Sequence, residues 1–328
     1  KAIANQALET TRPILATVRT EAELLAAVES GQRGFIIVDG TINMSANNSL
    51  NLRNGQALVG AKYFGLSDSY SSINFEMSGT TAAGIYVGHD SIVSDLNINY
   101  KTDCRGPKWG SSAIRTVNGG RSVLQNLNIS MEAAESTNSS DAAPAMHIDG
   151  ETSVDLRGTI NIHAAQQGAA GRRIYGIAGN GTVNVSDNAQ LNISTKGTLG
   201  FAINAVQLNI MNNAEVNLDS LAYPVLMQSA TGTSINLQSS TSRLNLRSST
   251  ANAFYGSNGK DGDFIISAVK GATVTAANRQ FTALTDVHKA MIQKGNTLNN
   301  TLNGQDNKFD DKEAPLSVSE VFKNIFDD

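Results

Sequence analysis

Through the middle of the chain, short alternations recur in which one Asn separates two aliphatic residues. Examples are "VNVSDNAQLNI" (183–193), "LNIMNNAEVNL" (208–218) and "INLQSSTSRLNL" (235–246). A period of two is the mark of a strand, whose alternate side chains point to opposite faces. Leu191, Ile193, Leu208 and Ile210 are therefore expected inside and the Asn residues outside. A pattern that runs for three residues and then turns does not suit a helix. The triplet recurs at Asn51, Asn74, Asn97, Asn128, Asn161, Asn184, Asn209 and Asn236, mostly in steps of 23 to 27 residues. A second series, Asn192, Asn217 and Asn245, follows eight or nine residues later, and Asn43 precedes Asn51 by eight. Antiparallel hairpins accommodate such triplets, but a steady period favours coils stacked in parallel, each with two or three strands and a rise of ~4.8 Å. Equivalent Asn residues would then stack as amide ladders.

The flanks lack the triplet. In "RTEAELLAAVESG" (19–31), Thr20 and Glu23 have capping-box spacing, Leu24, Leu25 and Val28 share a face, and Gly31 supplies a stop. This predicts an amphipathic helix lying over the first coil, where an open strand edge needs cover. Beyond Ala276, "TDVHKAMIQKG" (285–295) suggests a short helix, "GQDNKFDDKEAP" (304–315) a polar linker, and "SVSEVFKNIFDD" (317–328) a last helix. The expected fold is all-β, a right-handed parallel β-helix with an N-terminal helical cap and a short helical C-terminal segment. Its parts are 1–34, 35–277 and 278–328.

Composition narrows the function. A formal charge of −4 and a pI near 5.6 argue against a nucleic-acid binder. No apolar run approaches the ~18 residues of a membrane span. Charged residues make up 16% and aromatics 5%, while Asn is about one residue in ten, which suggests an aliphatic core under a neutral amide-rich surface. Cys104 is the only cysteine, which excludes an intrachain disulfide and a Cys-based metal cluster. The chain starts at Lys1 without a leader-like segment, so an exported protein would have had its leader removed, or the sequence is truncated.

The run "TEAELLAAVESGQRGFIIVDGTINM", then "NLRNGQALVGAKYFG", then "SINFEMSGTTAAGIYVGHDSIVSDLNI", resembles the opening coils of pectate-lyase-like right-handed β-helix proteins. The later "NGTVNVSDNAQLNI" resembles the repeats of bacterial adhesin and autotransporter-passenger β-helices. These resemblances cover roughly residues 19–275 and imply architecture more than activity, because the fold hosts lyases, hydrolases, tailspikes and adhesins. A hydrolase of the family would need paired carboxylates. The family's Asn-x-Asp, Asp-Asp, Gly-His-Gly and Arg-x-Lys motifs are missing from the coil region, and the Asp-Asp pairs fall at 310–311 and 327–328.

A lyase needs a carboxylate cluster for a cation and a basic side chain as proton acceptor. The best set is Asp95, Asp103, Arg105, Lys108 and Arg115, with a solvated loop pair as the plain alternative for Asp103 and Arg105. His89, His147, His163 and His288 have no metal-ligand partner at i+2 or i+4 and are expected to be ordinary surface or half-buried residues. "NGKDGD" (258–263) lacks the downstream Glu of a calcium loop and suits a glycine turn. No residue pattern requires a cofactor.

Two steps of the triplet series are longer, 97 to 128 and 128 to 161, so two coils carry extra loops: "YKTDCRGPKWGSS" (100–112) and "MEAAESTNSSDAAPAM" (131–146). Loops on a rigid repeat scaffold are where binding tends to reside. Asp103, Arg105, Lys108, Trp109 and Arg115 are the candidate binding residues, with Trp109 packed on a neighbouring coil as the plain alternative. The expected function is a secreted, cell-surface or periplasmic, adhesin-like binding module for a protein or glycan partner, without catalysis. A polysaccharide lyase and a phage tailspike segment are the competing readings.

Overall fold

The computed structural model describes residues 11–105, 110–117, 119–168, 171–197, 199–220, 223–227, 233–248, 254–256, 264–269, 271–276, 279–282 and 288–292. Their backbone forms a parallel β-solenoid whose coils have three walls. Walls one and two belong to an 18-stranded sheet, and wall three is an eight-stranded sheet. One late coil shows the plan: Thr182–Val185 lies in wall one, Gln190–Lys196 in wall two and Leu199–Asn204 in wall three. Each pairs in parallel, in register, with its equivalent in the next coil.

In three middle coils walls one and two merge into long bent strands, Ile92–Thr102, Arg121–Ala133 and Ser153–Gln166. The bends fall at Asp95, Asn126 and Gly158, with φ of +58°, +47° and +62°. Asp, Asn and Gly tolerate this left-handed conformation best. The polar corners "SDNA" and "MNNA" do the same work in later coils, where Asp187, Asn188, Asn212 and Asn213 all have positive φ.

Inward aliphatics stack into one long core. Leu191, Ile193, Leu208 and Ile210 are at most 2% exposed, as the alternation predicts. Gly179 is needed where the third wall turns: its φ is +131°, and a Cβ there would strike the Ile148 carbonyl. A second apolar cluster lies on the outer face of wall one, formed by Phe35, Ile37, Ala57, Val59 and Ile92. The 3₁₀ turn Ala61–Phe64 covers it, setting Tyr63 and Phe64 at 5.6 and 5.0 Å from the Phe35 ring. That cover explains why "GFIIV" and "QALVG" are apolar on both faces.

The helix forms over Glu21–Glu29 and buries Leu24 and Val28. Thr20 Oγ1 accepts the Glu23 N–H at 3.2 Å, while the Glu23 carboxylate accepts from Arg19 N–H at 2.9 Å. Before the helix, Ile14–Val18 pairs in parallel with Gly34–Val38, a strand not expected from the sequence because it carries no Asn triplet.

Three amide ladders replace the two inferred Asn series. On wall two, Asn99 donates to Asn74 and Asn74 to Asn43, at 2.8 and 2.7 Å. Also on wall two, Asn245, Asn217, Asn192, Asn161 and Asn128 each donate to the preceding member, ending at Asn97, over distances of 2.6–2.9 Å. On wall one, Asn236 donates to Asn209, Asn209 to Asn184, and Asn184 to Asp155 Oδ1, at 3.0, 2.9 and 3.1 Å. Asn51 belongs to wall three, opposite Tyr86. Asn161 therefore pairs 31 residues ahead, with Asn192, so three successive coils are expanded rather than two.

The helix expected over 285–295 is not formed. His288–Ile292 is a strand, antiparallel to Phe264–Ala268, and Arg279–Thr282 runs antiparallel to Thr273–Ala276. A short apolar pattern fits either period, and the open ladder edge supplies the backbone partners that select a strand. The linker at 304–315, the last helix at 317–328 and the turn at 258–263 lie outside the described residues.

Candidate binding groove

On the outer face of wall two, two parallel rows of side chains cross the coils. The first is the amide row Asn97, Asn128, Asn161, Asn192 and Asn217. The second, two residues further along each strand, is Asn99, Ser130, His163, Ser194 and Asp219. The period of two places both rows on one face. Together they line a groove of about 610 Å³ that follows the solenoid axis.

Each interior ladder amide gives one N–H and one carbonyl lone pair to its neighbours. Asn128, Asn161 and Asn192 retain one donor and one acceptor for a ligand, while Asn217 gives its second N–H to Glu215 at 3.1 Å. The groove thus presents donor–acceptor pairs repeated at the rung spacing of ~4.8 Å. His163 Nδ1 and Ser194 Oγ are 3.1 Å apart. The next side chain in that row, Asp219, is in register with Ser194 and not with His163. No groove carboxylate therefore orients the imidazole, and the row lacks the order of a nucleophile–base–acid relay. Among the described lining residues Asp219 is the sole carboxylate, whereas a glycosidase needs two facing each other.

Where wall two turns into wall three, the groove is bordered by three loops, after Thr102, Ala133 and Gln166. Two of them were anticipated. The third, around 167–172, was not, because Asn161 had been matched with Asn184. Arg172 in this third loop is fully buried, and its Nη1 donates to the carbonyls of Cys104 and Ala134 at 3.1 and 3.0 Å. One guanidinium thereby joins the loops of three successive coils. Burial lowers its pKa from the usual arginine value, against the opposing charge of Asp141. Arg105 adds a second tie, donating from Nε and Nη2 to the Glu135 carbonyl at 3.2 and 2.9 Å.

The candidate residues divide among distinct places. Asp103 accepts from Gly79 N–H and Ser78 Oγ–H at 2.8 and 2.9 Å; these bonds, Gly79's first, hold its carboxyl below the ordinary range, with Arg105 assisting. Arg115 lies on the outer face of wall three, where it donates to Asp149 at 3.0 and 3.4 Å. Lys108 and Trp109 lie outside the described residues. Asp95 is 5% exposed at its bend, and burial raises its pKa against the Ser94 hydrogen bond and Lys62. The strand from Leu96 to Thr102 separates Asp95 from Asp103 by roughly 25 Å at ~3.3 Å per residue. Asp95 and Asp103 are therefore too far apart to share a cation.

Compared with protein-family models, curated proteins and solved structures, the chain matches none. No helix among the described residues is long and apolar enough to cross a membrane.

Proposed function

We propose that the protein is a non-catalytic, adhesin-like binding module that holds an extended, hydroxyl-rich glycan along the wall-two groove. The observation that carries this reading is the Asn97–Asn217 ladder: a neutral row of amides, repeated rung by rung, suits a polymer that repeats hydroxyls along its length. The clamped loops at the border would add side contacts, and Arg105 is the described side chain best placed for them. Display outside the cell, membership of the pectate-lyase-like superfamily and right-handed coiling belong to the same proposal. Parallel crossovers within a sheet favour that hand. The helix Glu21–Glu29 acts in it as the cap of the first coils.

The test is a glycan array probed with the intact chain, run beside a depolymerisation assay on uronic-acid polymers. Binding to a defined class of extended glycan is expected, with loss of signal in Asn161→Ala/His163→Ala and no shortening of any polymer. Polymer cleavage abolished by Asp103→Ala would instead establish the lyase reading. An array without a specific signal would overturn the glycan assignment.

A further inference from the structure

At the corner where wall three turns into wall one, a second cavity of about 450 Å³ is lined by basic side chains. Arg12, Arg33, Arg121 and Arg157 face it together with two carboxylates, Asp90 and Asp155. Arg12, Arg33 and Arg121 against Asp90 and Asp155 leave a local positive excess on a chain whose net charge is −4. Both carboxylates are already engaged. Asp90 serves two arginines, accepting from Arg12 Nη2 on Oδ1 at 2.9 Å and from Arg33 Nε on Oδ2 at 3.3 Å. Asp155 accepts twice from Arg121 on Oδ2, at 3.0 and 2.8 Å, and from Asn184 on Oδ1.

The cavity is also built rather than incidental. Arg12 is 8% exposed, and its Nη1 donates to the Asp90 carbonyl at 2.7 Å, which fixes the shared carboxylate from below. His89 Nδ1 accepts the Arg121 N–H at 3.1 Å, so the neutral ring carries its hydrogen on Nε2 and is a donor there. Among the described residues, both Nη groups of Arg33, Nη1 of Arg121 and Nε2 of His89 meet no acceptor. Guanidinium forks match the spacing of oxyanion oxygens. The Arg33 fork, Nη1 of Arg121 and an imidazole N–H around one cavity suit a tetrahedral anion, which has oxygens for all three, better than a carboxylate.

We propose that this corner cavity is a binding site for a tetrahedral oxyanion, a sulfate or phosphate group, distinct from the wall-two groove and independent of what the groove binds. The ion's source, free or esterified to a sugar, is separated by the choice of probe. Isothermal titration at low ionic strength would use inorganic sulfate, inorganic phosphate, and a sulfated oligosaccharide beside its desulfated counterpart. One saturable site per chain is expected for at least one oxyanion probe, weakening steeply with added NaCl. Affinity should fall at least tenfold in Arg33→Gln/Arg121→Gln and be unchanged in Arg243→Gln, whose arginine pairs with Glu215 elsewhere on the solenoid. Arg33→Lys, which keeps the charge and loses the fork, should fall between wild type and the double variant. A sulfated oligosaccharide that binds more tightly than free sulfate identifies an ester; binding of the inorganic ions alone identifies a free ion. The proposal is overturned if wild type shows no saturable binding, if the double variant with an unchanged melting curve binds as wild type does, or if the desulfated sugar binds equally well.

Discussion

The long wall-two ladder has a direction, and substituting one of its amides by a carboxylate tests it. Every Nδ2 in Asn128 through Asn245 donates toward the N-terminal end, so an interior member must both donate and accept. Asn192→Asp keeps the acceptor that Asn217 uses and loses the donor to Asn161, 2.8 Å away. The Asn161 amide cannot rotate to compensate without breaking its own bond to Asn128. One amide bond is lost, about 1 kcal/mol, and a half-buried carboxylate then faces a carbonyl oxygen, adding about 1–2 kcal/mol. At the N-terminal end the same change meets a different partner. Asn97 donates at 3.2 Å to the Ser72 hydroxyl, which can turn and donate to a new carboxylate. Asn97→Asp should therefore cost under about 1 kcal/mol, against about 2–3 for Asn192→Asp.

Equilibrium urea unfolding at pH 7 with a common m-value reads the difference. Acid supplies an internal check. The new carboxyl at position 192 would have its folded pKa raised above the unfolded ~3.9. Its penalty should be absent below that value, where the protonated group donates to Asn161, and should grow as pH rises through the folded pKa. Equal costs at the two positions, or a larger one at Asn97, would refute the ladder's direction.

Ile210→Asp should abolish cooperative folding by burying an unpaired charge, whereas Asn209→Ser, which loses two half-buried amide bonds, should cost about 1–2 kcal/mol in the same melts. Gly179→Ala should destabilise by several kcal/mol, because the new methyl meets the Ile148 carbonyl on a strained backbone, and thermal denaturation reads this directly. Arg172→Met should leave the coils folded but free the Cys104 and Ala134 carbonyls, giving faster limited proteolysis of the three loops than in wild type. The Asp103 bond to Gly79 should persist above the unfolded carboxyl range and be lost as pH falls through the lowered folded value; the Gly79 amide resonance would report it.

Much of the solenoid was legible because strand alternation is a local property. Leu208, Asn209 and Ile210 show their faces within three residues. Which ladder an Asn joins was not legible, because position around the coil depends on all the residues between. Asn161 and Asn184 each lie between two β-branched aliphatics in sequence yet sit on different walls. That misassignment hid the third loop and, with it, Arg172, whose partners lie 38 and 68 residues away. The basic corner escaped for a related reason: Arg12, Arg33 and Arg121 come from well-separated parts of the chain and meet only once the coils are stacked. The spacing of 31 residues between Asn161 and Asn192 was the one available signal for the third loop.

The reversed strands Arg279–Thr282 and His288–Ile292 have a consequence for assembly. A parallel stack recognises its own next rung, so a bare last rung would be a template for the first rung of another molecule and for filaments without limit. Here the last described strands run the other way, and their hydrogen-bonding groups follow the antiparallel pattern of narrow and wide pairs instead of the even parallel one. A second copy arriving with its leading strand Ile14–Val18 in the stacking direction meets donors and acceptors out of step. Among the described residues, these antiparallel strands make a poor template for a further parallel rung.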